Sequence, residues 1–587
     1  MASVALPIVL IAVLAVPRFT GLGTFATIDE PYWLTAGSDF YYALGQRDFA
    51  RTVYDYHPAV TTMWIVAGAM LAYFPQYRGL GQGYFDVYKD SLDNFLLAHG
   101  KSPLGLLAQA RLIQVAVVVL LLLGVFLLLR RLYGSRTALV AVLLVSFDPF
   151  FLGHSRLLNH EGLMSLLVVI SLLSLVVYLF SDRRWEYLIL SGATAGGAEL
   201  TKSSSTALLP LVAALFLLAL VYEGRPAGRL SVGAAFGRFA LWLGTLAFVY
   251  VLFWPGMWVA PGHMLYEVFG NAMSYAAEGS RLSVAPAATV MEFHPRLADV
   301  GLFVQSMLWR TTPLAWLGAV LPLPALMLLR GARRIGLLAL AVLGSIFVVM
   351  FALASGRNSA HYVLSSYVAL DILAAAGLVA VTDWSLTGAS GRLRRMLVVL
   401  VLGAAVVFQA ASALRFYPYF YTYFNPIMEA QQAGVQDPNF GYGEGLDLAA
   451  AYLAQKPNAS KSTAMAFYGR GPFSFFYPGT TEPLKTVYAD AENVPQLLQI
   501  LNRSNYLVIY YALEKGRNSP ANVMQALQGI EPEKTIWLDG IEYVRIYALQ
   551  GMPPEFFTRL DPLGRLGLNV ARTESRPGGQ RGIVVPQ

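Results

Sequence analysis

Cysteine is absent from all 587 residues, so no disulfide braces any part of the chain and no thiol takes part in its chemistry. Charge is scarce too: Asp, Glu, Lys and Arg make up 13% of the residues, against 56% hydrophobic. A mean hydropathy of +0.53 excludes a single soluble globule. There is no P-loop and no dinucleotide fingerprint, and no closed cluster of histidines and carboxylates has metal-ligand spacing. The net charge of +7 calls for no nucleic-acid partner, because the arginines discussed next exceed it.

What the chain has instead is apolar runs long enough to cross about 30 Å of hydrocarbon. About eleven occur, at 3–17, 104–129, 137–152, 161–180, 186–201, 205–222, 239–259, 301–328, 335–354, 362–382 and 396–414. The first lacks a charged n-region and a clean cleavage site, and reads as a retained anchor. Alternate loops carry Arg130, Arg131 and Arg136; Arg183 and Arg184; Arg225, Arg229 and Arg238; Arg330, Arg333 and Arg334; and Arg392, Arg394 and Arg395. Those loops are predicted cytoplasmic, as is the N-terminus. Loops 18–103, 153–160, 202–204, 260–300 and 355–361, and everything after Phe416, then face outward. All seven histidines (His57, His99, His154, His160, His263, His294 and His361) fall in or beside these outer loops.

The long first outer loop is predicted to form helices along the membrane surface. It begins TIDEPYWL, with Asp29 and Glu30 adjacent and Pro31 at a first helical position. A helix cap explains one acid but not two; adjacent carboxylates can divide proton transfer and orientation between them. Three further outer turns each place a cation at membrane depth. They are FDPFFLGHSRLLNHEG with Arg156 and Glu161, GGAELTKSSS with Lys202, and ASGRNSAHYVLSSY with Arg357, His361 and Tyr362. Each cation taken singly also fits snorkelling to the interface. Together on one face they suit an anion there, a lipid phosphate above all.

These motifs, in this order, resemble the polyprenyl-phosphate-sugar-dependent glycosyltransferases of the GT-C class (glycosyltransferase family 39-like), especially the protein O-mannosyltransferases and the aminoarabinose transferases of lipid A modification. In the resemblance Asp29-Glu30 matches the signature acid pair. HSRLLNHEG matches an arginine followed five positions later by an acid, though the family more often has aspartate where Glu161 stands. GATAGGAELTKSSS matches a small-residue helix ending in Thr-Lys, which gives Lys202 a phosphate contact. WRTTPLAWLG, from Trp309, matches another family segment. In GRNSAHYVLSSYVAL, His361 stands where the family often has arginine, leaving Arg357 as the permanent positive charge.

The implied fold is an α-helical polytopic membrane domain over 1–415, followed by a small extracytoplasmic α/β domain over 416–587. FYPYFYTYFNPIMEA and FGYGEGLDLAAAYLAQKP resemble segments of prokaryotic members with such a domain. The residues themselves give it strands at STAMAFYG, NYLVIYYAL, KTIWLDG and IEYVRIYAL, with helices at GEGLDLAAAYLAQ, VPQLLQIL and ANVMQALQ. The tail from about Arg559 is predicted to be loosely ordered.

The implied activity is inverting transfer of a sugar from a polyprenyl-phosphate carrier to a hydroxyl of a protein, lipid or glycan acceptor. Asp29 acts as the base and Glu30 orients the acceptor or the sugar. Lys202, Arg357 and Arg156, with His361 and Tyr362, hold the donor phosphate; His57 and Glu161 touch sugar or acceptor. No cofactor is required and no metal site is predicted, while a divalent cation stays open. The rival classes are a multi-span transporter, for which polar groups buried mid-span are expected, and a non-catalytic assembly subunit, which has no need of the acid pair.

Overall fold

A computed structural model describes residues 2–222, 230–278, 298–354, 359–428, 441–510 and 520–560. Arg225, Arg229, His294 and Arg357 lie outside the described residues, as do 279–297 of the predicted loop 260–300 and all but the start of the predicted tail. The chain divides into two compact units: Met1–Leu22, Tyr32–Phe95 and Gly105–Ala430 form one, and Gly23–Pro31, Leu96–Leu104 and Gln431–Gln587 the other.

The first unit is helical and spans the membrane several times. Among the described residues, seven helical stretches are long and apolar enough to cross: Pro103–Tyr133, Glu161–Phe180, Ser203–Val221, Val232–Phe253, Ala332–Leu353, Ala360–Ser385 and Gly391–Leu414. Their burial separates them. Glu161–Phe180 and Ala360–Ser385 have 94% and 83% of their apolar windows buried and form the centre of the bundle. Val232–Phe253 and Gly391–Leu414 have 11% and 22% buried. Phe236, Phe248 and Val399 on these outer helices are exposed, an arrangement that water would penalise and hydrocarbon solvates.

Close packing around the centre depends on small residues. In Trp185–Thr201, Gly192 and Gly196 lie one turn apart and face Val232–Phe253. A Cβ on Gly196 would stand 2.6 Å from the Leu246 carbonyl oxygen, and one on Gly192 2.8 Å from that of Trp242. This is the small-xxx-small approach that brings membrane helices together. The Trp242 indole then donates to Ser191 Oγ at 2.8 Å.

Three predicted spans are interrupted, among them 239–259, where Val232–Phe253 ends before the separate short helix Gly256–Val259. The stretch 301–328 is three helices, Ala298–Arg310, Pro313–Val320 and Pro322–Leu328. Pro313 and Pro322 each open a new helix, and Thr312 caps the first of these by accepting from Ala315 N–H at 3.3 Å. Likewise 137–152 breaks between Ser135–Ser146 and Pro149–His154, where Asp148 accepts from Phe151 N–H at 2.8 Å. The predicted outer loop 18–103 contains helices at Glu30–Gln46, Val60–Tyr73 and Ser91–Ala98.

The second unit contains a five-stranded sheet: β1 Thr463–Ala466, β2 Thr480–Pro483, β3 Tyr506–Tyr510, β4 Lys534–Leu538 and β5 Ile541–Ala548, in the order β2-β1-β3-β5-β4. β1 pairs parallel with β2 and β3, whereas β5 runs antiparallel to β3 and β4. The helix Val494–Arg503, with Val494, Leu497, Leu498 and Leu501 buried, supplies the crossover between β2 and β3 that a parallel arrangement needs. The tight turn Asp539-Gly540 joins β4 to β5, both residues having positive φ.

Candidate active site

Lys202 ends the helix Trp185–Thr201 in an extended conformation, φ −156° and ψ 128°, so its side chain leaves the helix axis. Glu161 is the first residue of Glu161–Phe180. These helices pack together, and Lys202 Nζ forms an ion pair with Glu161 Oε1 with both side chains buried. His160 Nε2 lies 3.6 Å from the same oxygen. A buried ion pair is costly to assemble and is weak support for stability. Inside a membrane bundle such a pair is a candidate functional position.

Aromatic rings complete the lysine's surroundings. Lys202 Nζ stands 4.5 Å from the centroid of the Tyr362 ring and 5.6 Å from that of Phe351, and those two rings are stacked. His361 sits edge-on to Tyr362 at 4.5 Å and 5.5 Å from His154. The ring faces attract the ammonium without neutralising it.

On the other side of Glu161 two histidines from the predicted outer loops meet. His57 and His160 are 4.9 Å apart between ring centroids, and Trp33, in the first turn of the helix that Glu30 opens, meets His160 edge-on at 5.0 Å. The structure therefore brings His57, Glu161, Lys202, His361 and Tyr362 into one connected cluster. Trp33, His160 and Phe351 belong to it too, although the motifs had not singled them out as site residues. His160 was open to inference from its place beside Glu161 in NHEG. Phe351, eleven residues before Tyr362, had no local signal.

Arg156 is buried, with Nη2 donating to the carbonyls of Thr20 and, at 3.0 Å, Gly21, and its guanidinium 5.1 Å from the Phe420 centroid. Arg310, in the segment WRTTPLAWLG, donates to the Tyr421 carbonyl at 3.1 Å and lies 4.3 Å from the Phe424 centroid.

Asp29 and Glu30 belong to the second unit, in the stretch Gly23–Pro31. The two acids have different partners. Glu30 is buried, and its Oε2 accepts from the N–H and hydroxyl of Thr27 at 2.8 and 2.9 Å. The local turn is thus made by Glu30 rather than by Asp29. Asp29 Oδ2 instead accepts from the hydroxyl of Tyr442, 413 positions away.

A family model described as dolichyl-phosphate-mannose-protein mannosyltransferase matches residues 106–254, the stretch that holds Arg156, Glu161 and Lys202. The match supports the resemblance to GT-C polyprenyl-phosphate-sugar glycosyltransferases that the motifs carried. No curated protein matches. Among solved structures, ArnT from Cupriavidus metallidurans bound to undecaprenyl phosphate is 15% identical, covering 92% of this chain and 98% of its own at a TM-score of 0.44. The oligosaccharyltransferase AglB from Archaeoglobus fulgidus, in complex with an inhibitory peptide and a dolichol-phosphate, is 13% identical, covering 87% and 70% at a TM-score of 0.40. The arabinofuranosyltransferase AftD from Mycobacteria is 15% identical, covering 88% and 40% at 0.36. At these scores none of the likenesses assigns a role to a residue.

Proposed function

We propose that the protein transfers a sugar, with inversion, from a polyprenyl-phosphate carrier to an acceptor hydroxyl at the outer face of the membrane. The observation that carries this is Lys202: a buried ammonium at a helix end, between Glu161 and the Tyr362 ring, inside the family-matched stretch. A fixed cation in a low-dielectric setting is suited to a developing phosphate charge. Lys202, with Arg156, Arg357, His361 and Tyr362, holds the donor phosphate, while His57 and Glu161 contact sugar or acceptor.

In the reaction the acceptor oxygen bonds to the anomeric carbon from the face opposite the phosphate. Asp29 takes the hydroxyl proton as that bond forms. The bond between anomeric carbon and phosphate oxygen breaks, its electron pair leaving with polyprenyl phosphate, and Lys202 stabilises the new charge. Glu30 orients the acceptor.

Binding of undecaprenyl phosphate to the protein in lipid nanodiscs tests the phosphate role. Loss of a charge-assisted contact worth about 1.5–3 kcal/mol predicts roughly 10- to 150-fold weaker binding by Lys202→Ala. Lys202→Arg retains most of the affinity. Wild-type affinity in a folded Lys202→Ala protein would contradict the assignment.

A further inference from the structure

The motif FGYGEG, read from the sequence only as part of the C-terminal domain, has a more specific use. Gly441, Gly443 and Gly445 have φ of +96°, +109° and +82°, a left-handed region that side chains other than glycine resist. Gly443 also has no room for a side chain: a Cβ there would stand 2.9 Å from Pro472 Cγ and 3.3 Å from the Ala26 carbonyl oxygen. The glycines therefore bend the loop against the segment that contains TIDEP. There Ile28 N–H donates to the Tyr442 carbonyl at 3.2 Å, and the Tyr442 hydroxyl donates to Asp29 Oδ2.

Behind Tyr442 stands a second, buried layer. Glu444 Oε2 accepts from Tyr442 N–H at 2.6 Å and from the Tyr510 hydroxyl, and Tyr510 in turn accepts from Gly443 N–H at 3.0 Å. Glu444 and Tyr510 are both almost fully buried. Burial, then the charge of Glu444, push the Tyr510 phenol well above its ordinary value, so it keeps the proton it donates. Among the described residues, Glu30 is next to Asp29 in the chain, Glu444 lies behind Tyr442, and Arg470 Nη2 reaches the Pro31 carbonyl at 3.5 Å.

We propose that Tyr442 is a positioning residue for Asp29: held by Glu444 and Tyr510, it fixes the carboxylate's orientation and, by donating to its charged form, keeps it ionised. The inference rests on Asp29 being the base only for its catalytic consequence; the contact itself is independent of that reading. A carboxylate that accepts a hydroxyl hydrogen bond has a lowered pKa, and removal of the donor raises it. A tenfold change in that equilibrium is one pH unit.

The test uses the full-length protein in nanodiscs. Infrared difference spectra give the titration midpoint of the Asp29 carboxylate, assigned by the band lost in Asp29→Asn. Tyr442→Phe is expected to raise that midpoint by about one unit, and Glu444→Gln to raise it less. The acidic limb of the pH–rate profile for release of polyprenyl phosphate from a lipid-linked sugar should move with it. An unchanged infrared midpoint in Tyr442→Phe overturns the proposal. A shifted midpoint with an unmoved pH–rate profile keeps the contact but removes Asp29 as the base, so the two failures are distinguishable.

Discussion

Replacing Glu161 with glutamine leaves the Lys202 ammonium buried and facing a neutral amide. Lys202 is fully buried and Glu161 nearly so, and removing one partner of such a pair costs about 3–5 kcal/mol. The Tyr362 and Phe351 rings, 4.5 and 5.6 Å from Nζ, give back about 0.5–2 kcal/mol of attraction that does not depend on the carboxylate. The lower end of the range, about 3 kcal/mol, is therefore expected for Glu161→Gln. Lys202→Met strands the carboxylate beside His160 and should cost at least as much. The double variant removes both charges, so its cost should fall below the sum of the singles by about 2 kcal/mol or more. Denaturant unfolding in micelles, followed by tryptophan fluorescence for all four proteins, reads these differences. Single costs under about 1 kcal/mol that simply add would be the behaviour of a solvated surface pair, and would refute the buried-pair reasoning.

Three further outcomes follow from local geometry. Burial pushes Asp39, outside the candidate membrane spans, from 3.8 up to about 7, against the opposing Phe85 N–H and Arg51 charge. The folded protein then holds a proton that the unfolded chain has released between pH about 4 and about 7, so stability declines as pH rises through that window; Asp39→Asn should flatten the decline in thermal midpoint, and an unchanged slope would speak against it. Gly196→Ala should destabilise by about 1–3 kcal/mol, because its Cβ would meet the Leu246 carbonyl at 2.6 Å. The neighbouring Gly197→Ala meets only Leu167 methyls at 3.6 Å and should be neutral or mildly stabilising in the same unfolding assay. Arg18 is fully buried and donates to Leu14 O, Ser146 Oγ, Ser146 O and Ser155 Oγ at 3.1, 2.7, 3.1 and 3.2 Å. Arg18→Lys cannot reproduce that fork and should lower the thermal midpoint nearly as far as Arg18→Ala does.

The bundle was legible because membrane crossing is written in composition over about 20 residues at a time, and the central helix Glu161–Phe180 falls where its apolar run does. The breaks at Pro313 and Pro322 were visible as residues but hidden by an apolar run that continues through both. Among the strands, the four in the second unit with β-branched and aromatic content were found. β2, TTEP, is four residues on the sheet's edge with only partial burial and no alternation to betray it. Lys202 and Glu161 were each identified but not as partners, because 41 residues separate them and helix packing alone decides that they meet. In sequence Asp29 and Glu30 carried different expected roles, base and orienting acid, but no sign of what either side chain binds. Their partners, Thr27 three positions away and Tyr442 far along the chain, set their surroundings apart.

The most direct test of glycosyl transfer from a lipid phosphate is turnover itself. The wild-type protein in nanodiscs, supplied with polyprenyl-phosphate-linked hexoses and pentoses, should release polyprenyl phosphate from at least one of them. Asp29→Asn should lose about 10²-fold or more of that rate while still binding undecaprenyl phosphate. No release from any donor, or full turnover by Asp29→Asn, would contradict the account.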